Sequence, residues 1–277
     1  MTILQVENLC KEYDSFKLDN VSFSLEQGKI TGFIGRNGAG KTTTIKSLLN
    51  LVHPSSGEIH FFGKSFNESE NEIKERIGFV SGGINFYPKK KIKAITEVTK
   101  RFYNKWNNDE YKKYCELFRL DEKKTPDELS EGMNVKYNLA LALSHNAELL
   151  ILDEPTSGLD PVSRDELLDI FLKLARKSVT IMFSTHITSD LDKCADNIIY
   201  IKNGKIIAEE NTDTFVNRYR LVEFEKEPSE ETKRLLIGFR SAKHGFTALT
   251  EAENADAAGG TVKVADLEEI MVAMEKE

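Results

Sequence analysis

The chain has 277 residues, enough for one large domain or a domain with an appendage, and its 40% apolar content excludes disorder throughout. Lys and Arg number 38 against 45 Asp and Glu, a formal charge of -7, which disfavours nucleic acid as a partner. No stretch approaches the roughly 18 to 20 uncharged apolar residues a membrane-crossing helix needs. The first ten residues have neither a basic n-region nor a long apolar h-region, so no secretion signal is expected. Cys10, Cys115 and Cys194 are scattered without metal-ligand spacing and read as reduced cytoplasmic thiols.

In chain order, Val21, Phe23 and Leu25 alternate with polar residues as in a half-buried strand. Residues 29–34 form an apolar run that stops at Gly35, and after a glycine-rich segment residues 42–51 read as a helix. Residues 53–57 are a turn cluster and 58–62 a further strand. From about 84 to 147 the period becomes helical, through Ile95, Val98 and Phe102 and then Tyr111, Tyr114, Cys115 and Phe118. The apolar runs 149–152 and 179–183 suit central parallel strands covered on both faces. Asn203-Gly204 between two apolar runs is a hairpin signal. Beyond residue 213, Val222 and Phe224 predict a strand, 230–238 a helix and 251–260 an acidic loop. Asp266 with Glu269 makes a capping pair ahead of an apolar face of Leu267, Ile270, Met271 and Met274. That face suits the core of a small appended domain or, alternatively, a dimer or partner surface. The βα alternation predicts an α/β core with an inserted helical subdomain.

Residues 35–42, Gly35-Arg36-Asn37-Gly38-Ala39-Gly40-Lys41-Thr42, fit G-x-x-x-x-G-K-[ST] and lie between a predicted strand and a predicted helix. Glycines let backbone N–H groups close around phosphate oxygens, and the helix N-terminus adds partial positive charge. Lys41 is placed to reach the terminal phosphates and Thr42 to bind Mg²⁺. The run 149–152 ends in Asp153 and Glu154, whose side chains leave a strand on opposite faces and so can take different roles. Asp153 suits holding the metal, directly or through water, and Glu154 suits polarising a water that attacks the γ-phosphate. His186 follows another apolar strand, at the kind of strand end where ligands gather in open α/β sheets.

Residues 1 to about 212 resemble an ABC-type ATPase, the nucleotide-binding subunit of an ATP-binding-cassette transporter. The motifs that carry the resemblance run in order: GRNGAGKTT at 35–43, LSEGM at 129–133, LLILDEP at 149–155, SGLD at 157–160 and STH at 184–186. The resemblance implies a P-loop NTPase core with an antiparallel β subdomain and an inserted helical subdomain at about 84–147. Residues 213–277 would then be a small C-terminal α+β appendage. It implies ATP and Mg²⁺ as ligands, with Gly35, Asn37, Gly38, Ala39, Gly40, Lys41, Thr42 and Thr43 around the nucleotide. Tyr13 would stack on adenine, with Phe16 close enough to compete. Two cassettes, in a homodimer or heterodimer, would sandwich two ATPs so that Ser130, Glu131 and Gly132 of one meet the nucleotide of the other. Ser157, Gly158 and Asp160 would run along the seam.

The implied partner is an integral membrane permease on another chain, which places this protein peripherally on the cytoplasmic face. ATP-dependent closure of the dimer would power transport, with export the expected direction. Runner-up readings are a soluble ABC protein of translation or DNA metabolism, and a regulatory module that binds ATP but barely hydrolyses it. Two positions depart from the family pattern. Glu131 stands where the signature LSGGQ has glycine, and is expected to point outward. Ser81-Gly82-Gly83 stands where a glutamine that contacts the metal is usual. Lys89, Lys90, Lys91 and Lys93 follow that loop as a solvated basic face or as a contact for the membrane subunit.

Overall fold

The computed structural model describes residues 1–81 and 87–276. Alternation shapes the first two strands, β1 (Thr2–Tyr13) and β2 (Phe16–Glu26), in which Leu18, Val21, Phe23 and Leu25 turn inward. β3 (Ile30–Ile34) is buried throughout and stops at Gly35. α1 (Lys41–Leu48) begins directly after the glycine-rich loop. β4 (Ser56–Phe61) and β5 (Lys64–Ser65) complete an antiparallel sheet of order β2-β1-β4-β5. α2 (Phe66–Lys74) then leads to β6 (Ile77–Ser81).

The helical insert holds α3 (Ile92–Thr99), α4 (Asn108–Leu117) and α5 (Glu131–Ser144). The Asn107 side chain caps α4 by accepting from the Asp109 and Glu110 N–H groups. The buried Thr96 hydroxyl ties the helices together, 2.9 Å from the Tyr111 hydroxyl and 3.0 Å from that of Tyr137. Of the stripe read from the sequence, Val98 and Phe102 stay outside the core, 53% and 73% exposed.

β7 (Leu149–Asp153), α6 (Pro161–Ala175), β8 (Thr180–Thr185), α7 (Thr188–Cys194), β9 (Asn197–Lys202) and β10 (Lys205–Asn211) follow. They join β3 and β6 in a six-stranded sheet of order β10-β9-β3-β8-β7-β6, in which β3, β8, β7 and β6 are parallel. Its register aligns the strand ends: Ile34 lies opposite Thr185, Ser184 opposite Asp153, and Asp153 opposite Ser81. Loops carrying chemistry therefore leave the sheet side by side, as the strand ends of an open α/β sheet allow.

The chain divides into two compact units, Met1–His186 with Ile199–Glu209, and Ile187–Ile198 with the residues from Glu210 onward. The segment 187–198, assigned to the first domain on sequence, groups with the C-terminal residues here. The second unit contains α8 (Thr212–Asn217), β11 (Tyr219–Phe224), α9 (Glu230–Lys233), β12 (Ile237–Ser241), β13 (Phe246–Glu251), α10 (Ala255–Ala258), β14 (Thr261–Val264) and α11 (Leu267–Met274). The sequence of elements from β11 to β14 is β-α-β-β-α-β, and the antiparallel sheet has the order β12-β13-β11-β14. That is the split βαβ, ferredoxin-like arrangement. The helix predicted over 230–238 is cut to its first turn, because Ile237 and the residues after it pair with β13 and ladder hydrogen bonds replace helical ones. The predicted loop at 251–260 carries a turn of 3-10 helix and α10. Asp266 and Glu269 form the expected capping box of α11, which buries Leu267, Ile270 and Met271.

Candidate nucleotide-binding site

The phosphate loop occupies the gap between β3 and α1. Gly40, just before the helix, has φ +117, and a Cβ there would come within 2.7 Å of Leu18 Cδ2 and 2.9 Å of Phe16 Cζ. Only glycine satisfies both the backbone and the packing at this point. The loop is braced from a distant hairpin. Asn203 and Gly204 both adopt positive φ, as a type I′ turn requires. The Gly204 N–H donates to the Ala39 carbonyl at 2.9 Å, and the Gly204 carbonyl accepts from the Asp19 N–H at 2.9 Å. A cleft over the loop is lined by Phe16, Arg36, Asn37, Gly38, Gly40, Lys41, Thr42, Thr43 and Glu154, with Ser15 at its edge.

Lys41 is 5% exposed, and its ammonium donates to the Gly35 carbonyl at 2.7 Å and the Arg36 carbonyl at 3.3 Å. It also pairs with Glu154 Oε1 at 3.1 Å. The other Glu154 oxygen, Oε2, lies 2.9 Å from His186 Nδ1. Thr42 Oγ1 donates to Asp153 Oδ1 at 3.2 Å, and Ser184 Oγ donates to the same oxygen at 2.6 Å. Ser184 Oγ in turn accepts from the Glu154 N–H at 2.9 Å. Glu154 sits at φ +49, a left-handed conformation uncommon for a non-glycine residue. The backbone thus turns sharply after Asp153, and the two adjacent acids diverge, one toward Thr42 and Ser184, the other toward Lys41 and His186.

Lys41, Thr42, Asp153, Glu154 and His186 are therefore brought together, with Gly38, Gly40, Asn37 and Thr43 around the same cleft and Gly35 and Ala39 buried behind it. Tyr13 is not among the cleft-lining residues. It is paired with Phe16 across β1 and β2, and the Lys11 ammonium lies over its ring at 5.4 Å. Ser130, Glu131 and Gly132 do not line this cleft either; they begin α5, where Ser130 Oγ accepts from the Met133 N–H and keeps its own O–H for another acceptor. Ser157 and Gly158 form the turn before α6, and Asp160 caps that helix by accepting from the Val162 and Ser163 N–H groups. The Ser163 hydroxyl and N–H hold the Asp160 carboxyl below the usual aspartate range. Glu131 is exposed as a residue, and its carboxylate lies against Gly158 of the same chain. Gly82 and Gly83 lie outside the described residues, while Ser81 ends β6 opposite Asp153.

Sequence reasoning misses four contributors. In sequence Ser184 stands only within the STH motif, yet it links the two acids. The Asn203-Gly204 pair reads as a turn, but its service to Ala39 depends on strand order. Arg36 and Ser15 carry no pattern that marks them.

The family model described as ABC transporter matches residues 18–157. The bacitracin transport ATP-binding protein BcrA of Bacillus licheniformis is 36% identical over 85% of this chain and 78% of its own length. The choline transport ATP-binding protein OpuBA of Bacillus subtilis is 30% identical over 84% of this chain and 67% of its own. The probable multidrug ABC transporter ATP-binding protein YbhF of Escherichia coli is 31% identical over 76% of this chain, though the match spans 38% of that protein. Among solved structures, an ATP-binding subunit of an ABC transporter matches with a TM-score of 0.69 at 26% identity, covering 76% of this chain and 91% of that one. A nucleotide-free ATP-binding cassette from an ABC transporter matches with a TM-score of 0.67 at 25% identity, covering 78% and 94%. A phosphate loop, strand-end acids and a histidine set on this sheet, together with these relatives, lead to one conclusion: the chain belongs to the ABC transporter family, as an ATP-binding cassette.

Proposed function

We propose that the protein hydrolyses ATP, as one of two cassettes that close on two nucleotides, and so powers a transmembrane subunit carried on another chain. The observation that carries this reading is the convergence of Lys41, Glu154 and His186 beside Thr42, Asp153 and Ser184 at the aligned ends of β3, β7 and β8. Glu154 accepts the proton of the attacking water while an oxygen–phosphorus bond forms and the bridging bond to ADP breaks. His186 orients the Glu154 carboxylate through its Nδ1. Lys41 exchanges its contacts with Glu154 and the loop carbonyls for phosphate oxygens. Ser130 and Gly132 offer a hydroxyl and a backbone N–H to the nucleotide of the second cassette, and Ser157 and Asp160 lie at the seam.

Mg²⁺ fits the donors present. Thr42 and Asp153 supply hydroxyl and carboxylate oxygens 3.2 Å apart, the hard ligands this ion takes. Among the described residues no group of three or more His, Cys, Asp or Glu could hold a metal, as suits an ion that shares its ligands with substrate phosphates. When bound, the ion neutralises charge on the phosphate oxygens.

No helix among the described residues is long and apolar enough to cross a membrane. We assign the transport step to a membrane partner and place this chain on the cytoplasmic face against it. The exposed Lys89, Lys90, Lys91 and Lys93, near exposed Tyr87, Val98 and Phe102 in the sequence, form the face we assign to that contact. Export is the direction we assign, on the likeness to a relative named for Nod factor export.

The test is Glu154→Gln. This variant should bind ATP as the parent does, form a stable ATP-bound dimer on gel filtration and lose turnover. Turnover equal to the parent's removes Glu154 as the base. Replacing the four lysines with serine should weaken recruitment to membranes that contain the partner; unchanged recruitment removes the assigned face.

A further inference from the structure

Glu131 is the residue that most departs from its family's signature, and its surroundings give it a specific task. A Cβ placed on Gly158 would overlap Glu131 Oε2 and lie 3.0 Å from its Cδ and 3.3 Å from its Oε1. The carboxylate thus fills the volume that a side chain at 158 would take. Gly158 also has φ +76, a backbone conformation that itself disfavours a side chain there.

The contact continues along α5. A Cβ on Gly132 would lie 3.5 Å from both Leu159 Cδ2 and Ser163 Cβ, an ordinary packing distance. One turn further on, Lys136 Nζ pairs with Glu166 of α6 at 2.6 Å. The start of α5 therefore meets the 157–160 turn and α6 at three successive levels.

The same turn is bonded back to Glu154, just beyond β7. The Ser157 N–H donates to the Glu154 carbonyl at 3.2 Å, and the Leu159 N–H donates to the Thr156 carbonyl at 3.3 Å. Glu154, at φ +49, is in a conformation that persists only where its surroundings hold it. Whatever shifts residues 157–159 relative to α5 bears on the backbone of Glu154.

We propose that Glu131 is a positioning residue. Its carboxylate, seated on Gly158, registers the first turn of α5 against the 154–160 turn, so that the signature segment and the Glu154 backbone move as one piece. The inference rests on Glu154 being the base, as read above. It gives the acid at 131 a place on its own chain, turned away from a role as a free charge beside the second cassette's nucleotide.

The test is a double-mutant cycle of Glu131→Gly and Gly158→Ala, read by steady-state ATPase and by hydrogen exchange of peptides spanning 155–160. Both single changes break one contact, the first by removing the carboxylate and the second by evicting it. Each should lower kcat by about three- to tenfold with KM for ATP within about twofold, and the double variant should stay within about twofold of the worse single. Exchange over 155–160 should accelerate in both singles and stay at the parent's rate over 41–48. Glu131→Gln, which keeps the shape, should restore the protection. Effects on kcat that multiply in the double variant, or exchange that does not change, overturn the proposal. Because alanine is strained at φ +76, Gly158→Asn repeats the cycle with a residue that tolerates a left-handed backbone. A parent with no ATPase activity would overturn the catalytic reading alone, since the exchange measurement still reports the contact.

Discussion

Replacing Ser184 with alanine isolates the joint between the two strand-end acids. Ser184 is fully buried; its hydroxyl donates to Asp153 Oδ1 at 2.6 Å and accepts from the Glu154 N–H at 2.9 Å. Alanine removes one bond to a charged group and one neutral bond, a loss of about 2–4 kcal/mol. Set against the roughly 5–15 kcal/mol that stabilises a typical domain, that is readable in a urea titration. The left-handed backbone of Glu154, about 1–2 kcal/mol unfavourable for a non-glycine residue, loses its anchor at the same time. Turnover should therefore fall more than stability alone explains, by at least about tenfold in kcat, because Glu154, the base we propose, is no longer held between Lys41 and His186. The assay pairs urea unfolding at pH 7 with steady-state phosphate release. A stability loss under about 1 kcal/mol with kcat within twofold of the parent would refute the claim that this hydroxyl holds the acids in place.

Three further outcomes follow from the geometry. His145 is 2% exposed, stacks on Tyr103 with ring centroids 3.7 Å apart and donates from Nδ1 to the Glu75 carbonyl at 3.1 Å; burial lowers its pKa from 6.5 to about 4. The unfolded chain takes up this proton near pH 6.5 while the folded chain resists until about 4, so the neutral ring's contribution is complete above 6.5, declines through that window and amounts to about 3 kcal/mol. His145→Asn should flatten the pH dependence of urea stability between 4 and 6.5 relative to the parent, and parallel curves would contradict this. Gly40→Ala forces a Cβ to within 2.7 Å of Leu18 and 2.9 Å of Phe16 at φ +117. About 1–3 kcal/mol of strain should lower both the melting temperature and the affinity for a fluorescent ATP analogue. Phe16→Ala should weaken that analogue by about 1–3 kcal/mol through lost stacking, and Tyr13→Ala should do so by much less, since Phe16 lines the cleft; the reverse order would return the adenine to Tyr13.

The phosphate loop, the strand ending in Asp153-Glu154 and the Asn203-Gly204 turn are legible in the sequence because each is a contiguous stretch whose local chemistry demands those residues. Glycines at left-handed positions, a helix start after an apolar strand and alternation within strands act over a few residues, and so they survive as pattern. The α/β core, the helical insert and the capping box of α11 are legible for the same reason. What the pattern could not carry is anything that depends on which strands lie side by side. Ser184 joins Asp153 to Glu154 only because β8 pairs with β7 in register, and Gly204 braces Ala39 only because the hairpin returns beside the loop. The choice of Phe16 over Tyr13 in the cleft comes from the pairing of β1 with β2 and from the packing of Phe16 on Gly40. Residues 237 and 238, the end of the predicted helix, are strand instead because β13 offered a partner. Glu131 reads in sequence as a misplaced charge, and its seat on Gly158 exists only in the folded chain. Local propensity determines the elements and the glycine-rich loop between β3 and α1. Long-range pairing, whose partners lie far apart along the chain, determines how Glu154, Lys41 and the hydroxyls of Thr42 and Ser184 meet.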